Sequence, residues 1–252
     1  RPPRSTLFPY TTLFRSNRDS AMPRSRSADI DAGLKKYMSD IYAKMTAGVL
    51  VTALVSMVVG SSPVLLQLFL GGPQAYIVMF APLAIVWFGF KPDRMASGKL
   101  MGMFFLLAAL YGVSFASIAA MAGQNPAYAV TVAKAFFIAT GMFAGVSIMG
   151  YTTKMDLTPI RTFASMAIWG LIIASVLNVF IFKSSGMDIV LSMVSIPLFA
   201  GITAWQTQNI KEMYNPSMPM EAVKRYSWAA ALNLYISFVA IFVNILNLLQ
   251  QR

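Results

Sequence analysis

Seven apolar stretches, each close to the length that crosses a lipid bilayer, constrain this chain of 252 residues more than any other feature. A transmembrane helix needs about 20 mostly apolar residues to cross a hydrocarbon core of roughly 30 Å. The stretches cover approximately residues 41–60, 75–90, 100–122, 129–150, 163–182, 188–208 and 228–249. We therefore predict an all-α, polytopic membrane protein with seven transmembrane helices. The second stretch is short, and the apolar segment SSPVLLQLFLGG before it is compatible with a loop that dips into the membrane interface.

The composition agrees with this prediction. Hydrophobic residues make up 57% of the chain and charged residues 12%, whereas soluble domains carry roughly 25% charged residues. The chain contains no cysteine and no histidine, which excludes disulfides, thiolate chemistry and imidazole acid–base catalysis. The segments between the stretches are short and rich in turn formers, such as GGP at 71–73 and GQNP at 123–126. The stretches therefore form one membrane domain over residues 41–249.

Positive charge is distributed unevenly between the two sides of the predicted bundle. Of the 20 Lys and Arg residues, fourteen lie in the N-terminal tail or in the loops on its side, and three lie within residues 1–16. Only Lys134, Lys183 and Arg252 lie on the opposite side. Cytoplasmic loops of membrane proteins carry the excess of Lys and Arg. The bias predicts a cytoplasmic tail over residues 17–40 and a C-terminus on the far side, which requires an odd number of spans.

The first residues differ from the rest of the chain. Residues 1–18 contain four arginines and no acidic residue, and they include the segment TLFPYTTLFRS. One interpretation is a disordered basic tail, and another is a mitochondrial transit peptide, which is typically rich in Arg and Ser and poor in acids. We favour a third, in which residues 1–16 are the in-frame translation of a sequencing-adapter oligonucleotide. Predictions about the fold therefore begin at residue 17.

Acidic residues are absent from the predicted membrane interior. The nine Asp and Glu residues lie in the tail, in the loops or at the edges of the spans. Carboxylates deep in a bilayer are costly and mark proton or cation pathways, so this distribution argues against a carboxylate-based pump or metal site. The sequence contains no phosphate-binding loop, metal-ligand spacing or nucleophile–base pair. We therefore predict no enzymatic activity, no cofactor and no metal, and basic loops that suit the anionic lipid bilayer better than nucleic acid.

Small and polar side chains share one face of each of the last two predicted helices, because successive residues advance by about 100° around a helix. The polar members of these faces are Ser192, Ser195, Thr203 and Gln206 in the sixth stretch and Asn233, Ser237, Asn244 and Asn247 in the seventh. Polar groups avoid lipid, so we expect both faces to point into the bundle. Two functions stay open for them: hydrogen bonds between helices, or the lining of a hydrated path.

Two glycine pairs with a spacing of four also occur, Gly98 with Gly102 and Gly141 with Gly145. In membranes this spacing lets helices approach closely, so we predict that these glycines pack against neighbouring helices. Lys134, near the outer end of the fourth stretch, is expected to extend its amine to the membrane interface.

Four segments resemble the Bax inhibitor/YccA-like family of membrane proteins. KYMSDIYAKMTAGVLVTALV at 36–55 is similar to the start of that family's first span, and AFFIATGMFAGVSIMGYTTKMDL at 135–157 to its fourth span and following loop. FAGITAWQTQNIKEMY at 199–214 resembles the end of its sixth span, and LNLYISFVAIFVNILNLL at 232–249 its last span. The resemblance covers about residues 41–249, and its most specific parts are the fourth-span loop and the end of the sixth span.

The resemblance implies a seven-helix fold in which the last helix is central and surrounded by the other six. It also implies a role in calcium leak, in pH-sensitive gating, and in stress response or membrane-protein quality control. Bacterial members are linked to a membrane-bound AAA protease. The style of the motifs suggests a bacterial inner membrane. These properties are expectations from the resemblance, and composition and periodicity do not establish them.

The sequence departs from the family pattern at two positions on the polar faces. The resemblance assigns Gln206 and Ser237 to the positions where family members carry two aspartates that share a proton. Close carboxylates resist joint ionisation and so form a pH switch, whereas Gln and Ser do not titrate near neutral pH. We therefore expect a regulatory or interaction protein whose bundle is tied by Gln206 and Ser237. The alternative is a passive calcium or ion leak with weakened or lost pH gating.

Overall fold

The computed structural model describes the backbone of residues 24–251 and the side chains of residues 31–251 other than Trp87. Residues 1–16, which the sequence analysis attributes to an adapter, lie outside the described residues, as do residues 17–23 of the tail. Within the described range the chain is helical and contains no strand. The helices are α1 Arg24–Gly60, α2 Pro63–Leu70, α3 Gln74–Ala84, α4 Ser97–Ser114, α5 Ala116–Gln124, α6 Pro126–Thr152, α7 Thr158–Leu177, α8 Ser185–Met213 and α9 Met220–Gln250.

Helix boundaries coincide with the turn-forming segments of the sequence. Asn125 caps α6, because its side-chain oxygen accepts the backbone N–H groups of Ala127 at 3.0 Å and Tyr128 at 3.3 Å, and Pro126 follows as the first helical residue. Ser184 caps α8 in the same way through the N–H of Met187. Such caps satisfy donors that a helix N-terminus leaves free, and proline there loses no hydrogen bond.

Six of the described helical segments are long and apolar enough to cross a membrane, and a bent pair of short helices supplies a seventh crossing if it counts as one span. The pair is α2 and α3, which meet at an angle of 72° around the segment at 71–73. The predicted second span, residues 75–90, consists of α3 and the π-helical turn Ile85–Gly89, so it is not one regular α-helix, and the bend at the glycines and proline lies before it. The predicted third span is also divided, into α4 and α5. The protein is an all-α, polytopic membrane protein, as the apolar stretches predict.

The last helix, α9, lies at the centre of the bundle. In its most apolar segment 56% of the residues are buried within the protein, compared with 6% in the segment formed by α7 and the π-helical turn Asn178–Phe182 after it. Helix α9 packs against α8, α6, α1 and α4. Its predicted central position is therefore confirmed. The surrounding helices contribute unequally, since α7 packs mainly against α8, and α3 mainly against α4.

The glycines that permit close helix packing are not the predicted ones. A Cβ atom added at any member of the two predicted pairs would meet nothing within 4 Å, and these are Gly98, Gly102, Gly141 and Gly145. Close packing occurs instead at Gly150 of α6, which lies against the backbone of Ala204 in α8, and at Gly112 of α4, which lies against Thr52 and Val55 in α1. The spacing of four therefore finds small residues on one helix face, but it does not show whether that face packs against another helix.

The basic segments of the chain meet at one end of the bundle, called here the basic end. The backbone N–H of Ser97, after the loop at 91–96, donates to the Glu221 carboxylate at the start of α9 over 2.8 Å. The amine of Lys44 in α1 donates to the hydroxyl of Ser227 in α9 over 2.5 Å. The tail helix, this loop and the start of α9 therefore share one side, as the charge distribution predicts for them.

Candidate functional site: a neutral contact between two cavities

The side chains of Gln206 and Ser237 meet between α8 and α9, the most extensively packed pair of helices. The Ser237 hydroxyl donates to the amide oxygen of Gln206 over 3.1 Å. Ser237 is 1% exposed, and Gln206 is partly buried. Both side chains are neutral, and neither changes charge near neutral pH. The structure therefore brings together, in one uncharged hydrogen bond, the two residues that the family resemblance singles out.

Two threonines of α8 lie next to this bond, and one of them connects α8 to α1. Thr207 is buried, and its hydroxyl lies 3.1 Å from the hydroxyl of Tyr42 in α1. Thr203, fully buried one turn earlier, donates to the carbonyl of Phe199 within its own helix over 2.7 Å. Of the two threonines, Thr203 belongs to the predicted polar face and Thr207 does not. The sequence gives no signal for Thr207 because its partner lies 165 residues away.

A second buried contact links α1, α4 and α9. Tyr235 is fully buried, and its hydroxyl lies 2.7 Å from the hydroxyl of Thr52. The same Thr52 oxygen lies 2.9 Å from the carbonyl of Ala108 in α4. Phe104 packs edge-on against Tyr235 with 5.7 Å between the ring centroids. The sequence does not predict this contact, because a single Tyr in an apolar span does not reveal its partner.

Four of the predicted polar residues line one cavity on the side of the Gln206–Ser237 contact away from the basic end. This cavity, called here the polar cavity, has a volume of about 370 Å³ and contains Ser192, Ser195, Asn244 and Asn247 in its wall. Asn244 also donates to the carbonyl of Ala240 in its own helix over 2.8 Å. Most of the remaining wall is apolar and comes from α3, α7 and the turn after α7. These four residues line a space, and no hydrogen bond between helices is found for them among the described residues.

A smaller cavity of about 120 Å³ lies on the basic side of the contact and is lined by Gln206, Asn209 and Asn233 among others. Asn233 is exposed, so the expectation that it packs inside the bundle is wrong. The reason is that the residues of α8 that face it leave a cavity open toward the surface, and its amide remains accessible there.

The two cavities are separated by a closed barrier. Along α8, the lining of the polar cavity ends at Phe199 and that of the smaller cavity begins at Trp205, which is about 9 Å at a rise of roughly 1.5 Å per residue. Thr203, Ser237 and Ile241 lie in this interval, and none is more than 1% exposed. The Gln206–Ser237 bond forms the face of the barrier toward the basic end. The polar faces thus combine one hydrogen bond between helices with a cavity on either side of it.

Gln208 is a further buried polar residue, and its role is not evident from the sequence pattern. It is 7% exposed, and its amide group holds the loop between α6 and α7. Its nitrogen donates to the carbonyl of Met155 over 2.7 Å, and its oxygen accepts the N–H of Leu157 over 3.0 Å. In the same loop, hydrogen bonds from the side chain and backbone of Thr158 lower the pKa of the Asp156 carboxyl. Gln208 therefore fixes the loop to α8 two residues beyond Gln206.

No group of three or more His, Cys, Asp or Glu side chains among the described residues is arranged to hold a metal ion.

Residues 34–252 match a family model described as "Inhibitor of apoptosis-promoting Bax1". An uncharacterized protein of Rickettsia prowazekii is 33% identical over 229 residues, which cover 90% of this chain and 94% of the relative. The inner membrane protein YbhL of Escherichia coli is 31% identical over 235 residues, which cover 91% of this chain and 98% of YbhL. The uncharacterized protein YrjE of Lactococcus lactis is 33% identical over 224 residues, 86% of this chain and 91% of the relative.

Proposed function

Because the chain belongs to the Bax inhibitor-1/YccA-like family, we propose that it is a non-enzymatic regulatory or interaction protein whose bundle is held closed by an uncharged contact. The observation that carries this proposal is the hydrogen bond between Ser237 and Gln206 in the barrier between the two cavities. Neither Gln206 nor Ser237 gains or loses charge near neutral pH, so a change of pH does not open the barrier at this contact. The protein then acts through the surfaces that it presents to lipid and to partner proteins.

The family resemblance explains why a neutral contact matters here. It implies that relatives carry an aspartate pair at these positions, and such a pair gains or loses charge as the pH changes. A Gln–Ser pair keeps one hydrogen bond between α8 and α9 at every pH near neutral. The proposal is therefore that this member retains the structural tie of the family and lacks its proton sensitivity.

We further propose a bacterial inner membrane as the location, with the basic end in the cytoplasm. The relative YbhL is described as an inner membrane protein, and Lys and Arg are enriched on the cytoplasmic side of such proteins. The contacts Ser97–Glu221 and Lys44–Ser227 gather the basic segments at one end. The expected role lies in stress response or membrane-protein quality control, and a membrane-bound AAA protease is the candidate partner. This part of the proposal rests on the family resemblance.

A passive ion leak is the second candidate, and the pair of cavities favours it. The polar cavity and the smaller cavity approach each other to about 9 Å along α8, so a modest separation of α8 and α9 would join them. Calcium is the ion that the family resemblance suggests. With Gln206 and Ser237 in the barrier, such a leak would not depend on proton binding at that point.

Calcium flux into liposomes that carry the purified protein tests both candidates. The flux is measured from about pH 6 to about pH 8, where a proton-sharing carboxylate pair of raised pKa changes its charge. We expect no pH-dependent flux from the wild type. The double variant Gln206→Asp with Ser237→Asp should produce pH-dependent flux, because it places two carboxylates in the barrier.

A matched control carries the same two added charges outside the barrier. The variant Asn209→Asp with Asn233→Asp changes two residues of the smaller cavity and should leave the flux independent of pH. A pH-dependent wild-type flux that a change at Gln206 abolishes would refute the regulatory proposal. Absence of wild-type flux at every pH would refute the leak.

A further inference from the structure

The polar cavity has a feature that the proposed function does not use: serine hydroxyl groups that open onto it and have no protein partner in the described part of the chain. Ser192 is 2% exposed and Ser195 is 7% exposed, and both line the cavity. Among the described residues, neither hydroxyl has a hydrogen-bond partner, and both oxygens are accessible from the cavity rather than buried in the packing. Asn247 lines the same wall and likewise has no partner in that part of the chain. Groups of this kind at a cavity wall indicate bonds to water or to a ligand.

One carboxylate lies at the rim of this cavity, and its position is fixed. The amide nitrogen of Asn178 donates to Asp188 over 2.6 Å, and the amide oxygen of Asn178 accepts the N–H of Ser184 over 3.1 Å. Asn178 is buried. The salt bridge found within the described residues joins Lys44 to another aspartate, and Asp188 takes part in none there. Asp188 itself is exposed, so its negative charge lies at the open rim of the cavity, positioned by Asn178 and without a salt bridge in the described range.

The other residues of the cavity wall indicate which kind of cation the cavity would bind. Aromatic rings of Tyr76, Phe80, Phe180 and Phe199 line the cavity together with aliphatic side chains, and no Lys or Arg lines it in the described part of the chain. Aromatic faces attract cations, and most strongly those that shed water easily. Calcium prefers six to eight oxygen ligands with several carboxylates, which one aspartate does not supply. The volume of about 370 Å³ lies within the range of small-molecule sites.

We propose that the polar cavity binds a monovalent organic cation, an ammonium group attached to a small apolar body. Asp188 supplies the opposite charge, Ser192 and Ser195 offer hydroxyl groups to the polar side of the ligand, and the aromatic rings cover its apolar body. Helices α3 and α7 both line the cavity and have no extensive contact with each other or with α9. This site goes beyond the proposed function, since it requires neither flux nor a protein partner.

A second large cavity provides an internal contrast. It has a volume of about 580 Å³, lies between α1, α5, α6 and α9, and its wall includes Phe115, Phe136 and Phe242 but no charged residue. The charge at its wall, rather than its size, distinguishes the polar cavity from this one. A cation should therefore select the polar cavity, and a neutral apolar molecule of the same shape should not depend on Asp188.

Equilibrium dialysis of the purified full-length protein in a non-ionic detergent tests this site with two molecules of equal shape. Benzyltrimethylammonium carries the charge, and neopentylbenzene is its neutral isostere. Asp188→Asn keeps the oxygen that accepts from Asn178 and removes the charge, so the dissociation constant for benzyltrimethylammonium should rise about tenfold or more. Binding of neopentylbenzene should not change. Asp93→Asn is the matched control, because Asp93 is exposed in a loop at the basic end, and it should bind both molecules like the wild type.

The proposal is overturned if benzyltrimethylammonium does not bind the wild type saturably, or if Asp188→Asn binds it as tightly as Asp93→Asn does. It is also overturned if Asp188→Asn loses both molecules equally, since the loss would then come from structure rather than charge, or if calcium at equal concentration displaces the ammonium. Ser195→Leu supplies an independent variant that fills the cavity from α8. It should abolish ammonium binding while Asp188 remains in place, and unchanged binding would count against the site.

Discussion

Replacement of Gly150 by alanine tests the packing of α6 on α8 most directly. Three backbone atoms of Ala204 would lie within 3.0 Å of the added Cβ, closer than real Cβ atoms approach. Because these atoms belong to the backbone, they move only if the two helices separate. Extra atoms in a packed interior cost about 1–3 kcal/mol. At Gly141, in the same helix, an added Cβ would meet nothing within 4 Å, so Gly141→Ala carries no such cost.

The comparison of the two variants isolates this packing energy. Both changes replace glycine by alanine within α6, so the gain in helix propensity of about 1 kcal/mol is common to both and cancels. The free energy of unfolding of Gly150→Ala should therefore be lower than that of Gly141→Ala by about 1–3 kcal/mol. Denaturant unfolding in mixed micelles measures both values. If Gly150→Ala is as stable as Gly141→Ala, α6 and α8 are not in the close contact described above.

Two further substitutions test the buried polar contacts. Gln208→Leu should free the loop between α6 and α7, because the N–H of Leu157 loses its acceptor. Leaving that buried donor unsatisfied costs about 1–3 kcal/mol, and hydrogen exchange at Leu157 should accelerate by about tenfold or more. Unchanged exchange would contradict the contact. Tyr235→Phe removes the hydroxyl that lies 2.7 Å from Thr52. The free energy of unfolding should fall by about 0.5–1.5 kcal/mol, since Thr52 keeps a backbone carbonyl as acceptor. Gain of stability in this variant would show that the hydroxyl is not satisfied by Thr52.

The polar faces illustrate how far sequence periodicity reaches into the site. Periodicity placed Gln206 and Ser237 on faces of adjacent spans, and the structure joins them over 3.1 Å. Periodicity also placed Asn233 on the same face as Ser237, yet Asn233 is exposed at a cavity. A helical repeat gives the direction of a side chain relative to its own axis. It does not give the distance to the next helix, and that distance decides whether a polar residue forms a bond or lines a space.

The sequence by itself determines the all-helical membrane architecture and the turn segments between the apolar stretches. It also determines the absence of thiol and imidazole chemistry and the asymmetry of charge, because each of these depends on local composition. The tertiary structure decided which glycines touch another helix, which polar residues meet, and where the bundle leaves cavities. In a bilayer, residues that face lipid and residues that face protein are both apolar, so hydropathy does not distinguish Gly141 from Gly150. Only the approach of α8 to α6 makes that distinction.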